Sequence, residues 1–347
     1  MTLYIGVDFH PHQQTVALCS SEDGEIRQTT LLHNPEQVRS FYEQFPKAVI
    51  GVEASCTAAW FEQMLFELGH ELKVGNPSLI RARARSRHKS DKRDADLILD
   101  LLLKDEFPAL WRRSMQGQSV LEQLRFRQHL VKHRTQVCNR LQALAHAAGL
   151  PKRGMQTKRA RQALLEANLT ATQAYQRDQL FELLDDLSRR IKQIENWLEE
   201  KAVGDKKVEL LLTHKGVGLL SALAVVHTLG DLSRFPSSKE AVAYTGLDPL
   251  ERSSAGRTRY GSISKAGSSM LRQLLGQAMH VAVRYDTELK SFYQRLASRR
   301  SKPIAKVAAT RKLFVRLFIM LRDEIDYNEF KRRGSAVGMP ASSHGLR

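Results

Sequence analysis

The chain begins with short apolar runs separated by polar turns and later changes to long stretches of helical periodicity. Residues 3–8 (LYIGVD) form an apolar run closed by an acid, the pattern of a buried strand with a carboxylate at its end. Residues 15–19 and 26–31 read as a second and third strand, and 35–45 as a helix. Residues 48–53 (AVIGVE) repeat the opening pattern, an apolar strand ending in a carboxylate. A helix over 58–68 and a brief strand over 71–74 follow. Three hairpin-like strands, then helix, strand, helix and strand, predict an α/β sheet domain over residues 1–108.

Beyond Trp111 the pattern becomes long, glycine-poor helix. Residues 120–148 carry Arg125, Arg127, Lys132, Arg134 and Arg140 around a broken apolar stripe, either lying along a nucleic-acid backbone or simply solvated. Leu180, Leu184, Leu187, Ile191, Ile194 and Leu198 alternate spacings of four and three, a coiled-coil seam that most simply implies self-association. The plainer alternative is a helix packed within its own monomer. Residues 109–205 therefore read as a helical and coiled-coil oligomerisation segment, with a basic connector at 151–161.

A mostly α-helical third unit is expected over 206–330. Within it, His214-Lys215-Gly216-Val217-Gly218 fits the turn of a helix-hairpin-helix, where backbone N–H groups of Gly216 and Gly218 and the Lys215 ammonium would meet a phosphate. Residues 253–267 (SSAGRTRYGSISKAG) set Ser253, Ser254, Ser262 and Ser264 beside Arg257, Arg259 and Lys265. Hydroxyls among cations suit phosphate binding, and also a serine attacking phosphorus; composition alone favours binding. Ser268 or Ser269 caps the next helix, which carries Arg272, and Pro303 suits the first turn of the last one. Residues 331–347, rich in Gly, Ser and Pro, read as a disordered tail.

Charge narrows the choice of partner. The net charge is +17 and the isoelectric point near 9.9, which favours a polyanion. A membrane fits badly, because Lys306, Arg311, Lys312 and Arg316 interrupt the most apolar late stretch. No signal peptide is evident in MTLYIGVDF, and Cys19, Cys56 and Cys138 lack metal or disulfide spacing. A cytoplasmic location is the expectation.

Candidate chemistry centres on residues 81–96 (RARARSRHKSDKRDAD). Arg81, Arg83, Arg85, Arg87 and Lys89 run into Asp91, Asp94 and Asp96, pairing a phosphate-binding run with carboxylates. Asp91 and Asp94 are three apart and share a helix face; Asp96 falls on another and reads as an ion-pair acid. Asp8 and Glu53 at strand ends, joined by Asp91 and Asp94, would repel unless a cation sat among them. Hard oxygen ligands suit Mg²⁺ or Mn²⁺. An actin-like or sugar-kinase reading of IGVD is disfavoured, because Phe9, His10, Pro11 and His12 offer no glycine for phosphate approach. For His10 and His12, a surface hairpin position is the simpler reading.

These motifs together resemble a known family. GVD with Asp8, GVEAS with Glu53, KSDKRDA with Asp91 and Asp94, then HKGVG, FPSSKEAVAYTGLDP and SSAGRTRYGSISKAGSSMLR resemble the DEDD-type, Piv/MooV-related insertion-sequence transposases. The resemblance implies an RuvC-like N-terminal domain with a metal-binding acidic tetrad and a C-terminal domain with a catalytic serine five residues after the proline of GLDP, here Ser254. It further implies covalent phosphoserine–DNA chemistry, donor and target DNA and a noncoding guide RNA; the coiled-coil seam would assemble a dimer or tetramer in the bacterial cytoplasm. Two departures stand out: His10, Pro11 and His12 replace the usual nearby lysine, and the serine motif reads SSAG. A metal-only nuclease of the Holliday-junction resolvase kind, and a non-enzymatic nucleic-acid scaffold, remain as alternatives.

Overall fold

The computed structural model describes residues 2–20, 24–54, 59–84, 90–151, 154–251 and 260–334. Two compact units divide the chain, Met1–Arg112 and Arg113–Arg347. Among the described residues, no helix is long and apolar enough to cross a membrane.

The first unit contains β1 (Leu3–Phe9), β2 (Gln13–Ser20), β3 (Ile26–Leu32), α1 (Pro35–Glu43), β4 (Ala48–Glu53), α2 (Ala59–Glu67), β5 (Glu71–Gly75), α3 (Pro77–Ala82) and α4 (Asp91–Leu103). Its five-stranded sheet has the order β3-β2-β1-β4-β5. The first three strands form antiparallel hairpins, while β1–β4 and β4–β5 are parallel, so the predicted mixed α/β sheet is present. Alternation along the strands sends Ile5, Val7, Ile50 and Val52 into a core with Val38 and Tyr42 of α1 and Phe61 of α2. The opposite face receives α4 through Ala95, Ile98, Leu99 and Leu102.

Local chemistry starts three of these helices. Asn34 and Asn76 cap α1 and α3, each followed by a proline in the first turn. Ser90 caps α4 by accepting from the Arg93 N–H, and Asp91 and Asp94 occupy the first turn, where carboxylates complement the positive end of the helix dipole.

The second unit contains α5 (Met115–Ala147), α6 (Lys158–Leu165), α7 (Ala171–Ala202), α8 (Lys206–Leu212), α9 (Leu219–Leu229), α10 (Ser238–Thr245), the hairpin strands β6 (Pro249–Glu251) and β7 (Tyr260–Ile263), α11 (Ser269–Tyr285), α12 (Thr287–Arg299), α13 (Lys302–Arg322) and α14 (Tyr327–Arg333). One continuous core runs from Val120 of α5 to Phe330 of α14. The segment expected as a separate unit over 109–205 therefore shares its interior with the helices that follow.

The apolar seam of α7 is covered from within the chain. Leu184, Leu187, Ile191, Ile194 and Leu198 are buried, and α5 is the helix packed most extensively against α7. The two run antiparallel: Arg127, early in α5, pairs with Glu195, late in α7, at 2.9 Å, while Leu144 and Leu180 line one groove towards the other ends. The buried face that this stripe records belongs to an intramolecular helix pair, so the stripe itself is no sign of self-association. A helix over 287–299 was not anticipated; Asp286 starts it by accepting from the Leu289 N–H at 2.8 Å.

Candidate active site

Two glycines position the acids of the first unit. Gly6 and Gly51 are register partners on the parallel strands β1 and β4. A Cβ on Gly6 would fall 2.6 Å from the Leu99 backbone nitrogen and closer still to the Ala95 carbonyl, both in α4. At Gly51 it would lie 2.8 Å from Leu102 Cδ1. The bare backbone at both positions lets α4 rest directly on the sheet. Two residues further along each strand, and so on the same face by alternation, come Asp8 and Glu53. The helix that lies across the glycines begins with Asp91 and Asp94. Asp8 and Asp91 thus come together where the end of β1 meets the start of α4, with Asp94 close enough for its charge to act on Asp8 and Glu53 at the end of the neighbouring strand.

Their environments differ. Asp8 is buried at 8% exposure, whereas Asp91, Asp94 and Glu53 are half-buried. Burial pushes the Asp8 carboxyl above its ordinary value; His10 opposes that shift, and the charges of Asp94 and Asp91 reinforce it. His10 Nε2 lies 3.1 Å from Asp8 Oδ2 and 3.6 Å from Asp91 Oδ1. Gln13 Nε2 donates to Asp91 Oδ2 at 3.4 Å. Glu53 is approached by Arg81, whose guanidinium stands 3.4 Å from Oε1. Asp96 accepts from the Gln28 amide.

The donor set fits a divalent cation. One ligand atom from each of Asp8, His10 and Asp91 lies within 4.8 Å of the others. A buried carboxylate repelled by two neighbouring acids is relieved by added positive charge. His10 is the member that the sequence pattern left as a surface position. Its spacing of two from Asp8 was the available signal, since i and i+2 share a strand face. His12, by contrast, is exposed.

The expected nucleic-acid contacts divide into several groups. Arg81 and Arg83 are exposed, the first engaged with Glu53 and the second donating to the Glu106 carbonyl. Arg85, Arg87 and Lys89 lie outside the described residues, as do Ser253, Ser254, Arg257 and Arg259, between β6 and β7. The HKGVG segment joins α8 to α9, with Lys215 and Gly218 exposed. Gly216 has φ +105°, and a Cβ there would lie 2.5 Å from the Ala282 nitrogen, so close packing on α11 already requires a glycine. Lys265 is exposed. Arg272 turns inward, donating to the carbonyls of Thr245 at 3.0 Å, Ala266 at 2.7 Å and Gly267 at 3.3 Å. Through Nη1 it ties the segment after β7 to the end of α10. Ser268, rather than Ser269, caps α11, and Ser264 donates to Asp248.

Comparison with known proteins places this geometry. The model of a DEDD-type IS110 transposase family matches residues 5–148, and that of the transposase IS116/IS110/IS902 family matches residues 208–294. A probable family 20 transposase of Pseudomonas aeruginosa is 31% identical over 305 residues, covering 84% of this chain and 89% of that one. The transposase for IS1111A of Coxiella burnetii is 26% identical, covering 89% and 86%. The transposase for IS1328 of Yersinia enterocolitica is 27% identical, covering 71% and 74%. A solved structure of T. thermophilus RuvC in complex with a Holliday junction substrate covers 32% of this chain and 100% of that one, at 11% identity and a TM-score of 0.24, a likeness too slight to compare folds. Matched by both models in order, and 31% identical to a relative over most of both lengths, the chain belongs to the IS116/IS110/IS902 transposase family.

Proposed function

We propose that this protein is an insertion-sequence transposase that cuts and rejoins DNA through an RNase H-like acidic centre and a serine nucleophile, guided by a noncoding RNA. The observation that supports the DNA-cutting part is the seating of α4 on Gly6 and Gly51, which brings Asp91 to Asp8 beside the ends of β1 and β4. Asp8, Asp91, Asp94 and Glu53 would hold Mg²⁺ or Mn²⁺. The ion would supply positive charge against a scissile phosphate.

Ser254 is the proposed nucleophile, on the strength of the motif after GLDP. Its Oγ would form a bond to phosphorus as the phosphodiester P–O bond breaks, the hydroxyl proton leaving to a base and the departing strand oxygen taking a proton. A phosphoserine–DNA link conserves the phosphodiester for rejoining, which hydrolysis would not. Arg257, Arg259 and Lys265 would stabilise the charge on that phosphate, while Arg81, Arg83, Arg85, Arg87, Lys89, Lys215 and Gly218 would hold the nucleic-acid backbone. The net charge of +17 supports a polyanion partner. Donor and target DNA and the guide RNA follow from the family resemblance; the serine and the acids, from opposite ends of the chain, would meet in a dimer or tetramer, and the scattered cysteines fit a cytoplasmic location.

Intact-mass measurement after the protein is captured on DNA and the DNA digested tests the chemistry. A residual nucleotide adduct, absent in Ser254→Ala, is the expected result. Efficient turnover by Ser254→Ala would instead favour a metal-only nuclease. Undiminished activity in both Asp91→Ala and Asp94→Ala would remove the acidic centre from the reaction, and sequencing of co-purifying small RNA tests the guide.

A further inference from the structure

We propose that His10 is a nitrogen ligand of the divalent ion held by Asp8 and Asp91, which turns this centre from a Mg²⁺ site towards a Mn²⁺ site. The inference rests on the metal-binding reading above and adds to it a ligand of a different chemical kind.

The first observation is donor geometry. Two ligand atoms at right angles on an ion with bonds of about 2.1 Å stand about 3 Å apart. His10 Nε2 is 3.1 Å from Asp8 Oδ2 and 3.6 Å from Asp91 Oδ1, near that spacing for both carboxylates at once. The imidazole edge therefore faces the point where the two acids converge.

The second observation is that His10 sits on a held turn. Its N–H donates to the Gln13 carbonyl at 2.9 Å, closing the turn between β1 and β2. Pro11 restricts the backbone of that turn. The His33 N–H donates to the His12 carbonyl at 2.9 Å, and His33 Nδ1 is 3.1 Å from the Pro11 carbonyl oxygen. His33 in turn stacks on Phe9, with ring centroids 4.5 Å apart. A side chain fixed at its base loses little freedom on binding an ion.

Chemistry then sets the preference. Mg²⁺ takes oxygen ligands and keeps its waters, while imidazole nitrogen suits first-row divalent ions. A ligand set of two carboxylates and one imidazole therefore discriminates in favour of Mn²⁺. As a ligand, His10 carries its proton on Nδ1 and presents the Nε2 lone pair. As a mere neighbour of the two acids it would be displaced when a cation arrives and would give no bond to the ion.

Pulsed electron paramagnetic resonance of Mn²⁺ bound to the full-length protein separates these cases. The expected spectrum shows modulation from a directly bound nitrogen, which changes frequency when the protein is grown with ¹⁵N-histidine and disappears in His10→Ala and His10→Gln. Titration should show the preference for Mn²⁺ over Mg²⁺ falling by about 10-fold in His10→Gln. Saturable Mn²⁺ binding without nitrogen modulation in the wild-type protein would overturn the role of His10 and leave the carboxylate site standing. Wild-type protein with no saturable Mn²⁺ binding would overturn both. The isotope experiment needs no substitution, so a misfolded variant cannot decide the outcome.

Discussion

Gly6 and Gly51 lie opposite each other on neighbouring parallel strands, and α4 occupies the space where their side chains would be. Each stands two residues before an acid of the candidate centre, so one close packing contact sets both the layer spacing of the unit and the position of its carboxylates. Gly6→Ala should be the costlier change, because the new methyl meets α4 backbone that cannot turn aside. Gly51→Ala meets the flexible ends of Leu102 and Ile98. A loss of about 1–3 kcal/mol is expected for Gly6→Ala and less for Gly51→Ala, measured by urea unfolding. Equal costs would show that α4 as a whole gives way.

Asp8 should make the metal-free protein less stable at neutral pH than it need be. Its carboxyl titrates above the ordinary value of 3.8, chiefly because it is buried, so the fold favours the protonated form. That contribution is present below pH 3.8 and is lost as pH rises through the raised value. Asp8→Asn should therefore raise the melting temperature in chelator at pH 7, with the advantage shrinking in acid. Mn²⁺ should stabilise the wild-type protein and leave the variant unchanged.

His214 gives the second unit the opposite dependence. It is buried against Tyr327, with ring centroids 4.1 Å apart, and burial, followed by the charge of Arg316, depresses it from 6.5 to about 4. The unfolded chain takes up a proton below pH 6.5, while the folded one resists until about pH 4. Stability is thus complete above pH 6.5 and is lost as pH falls through that window, by up to about 3 kcal/mol. His214→Phe keeps the ring contact and removes the titration. Denaturant unfolding between pH 7 and pH 4 should show a flatter profile in the variant, and parallel profiles would place the acid sensitivity elsewhere.

The α7 seam should respond as a core, not as a subunit contact. Ile191 is 2% exposed within a single chain. Ile191→Ala is expected to cost about 2–5 kcal/mol of stability while leaving the oligomeric state of the folded protein unchanged. Sedimentation together with thermal unfolding checks this; dissociation without loss of stability would mean that the seam faces another copy.

Much of the first unit was legible along the chain. Period-two apolar runs marked the strands, and their terminal acids marked Asp8 and Glu53. The i, i+3 spacing of Asp91 and Asp94 placed them on one helix face, and the Ser90 cap confirms where that helix begins. Three features were not legible, for separate reasons. His10 looked like a hairpin residue because its importance lies in a carboxylate on α4, distant in sequence. Gly216 looked like a phosphate-binding glycine because a positive φ and a close backbone approach require the same residue, and the neighbour turned out to be Ala282. Arg272 looked like a free cation because the turn that aims the carbonyls of Thr245, Ala266 and Gly267 at its guanidinium forms only in the fold.

The sequence by itself determined the order of elements, the position of the acids along them and the basic surplus, because periodicity, caps and charge are local properties. Which surface covers which buried face was decided only by tertiary structure. A heptad stripe states that a helix side is dry, and only packing shows that α5 of the same chain covers it. An acid at a strand end states that charge is near the sheet edge. The seating of α4 on two bare glycines decides that Asp91 comes to Asp8, with His10 between them.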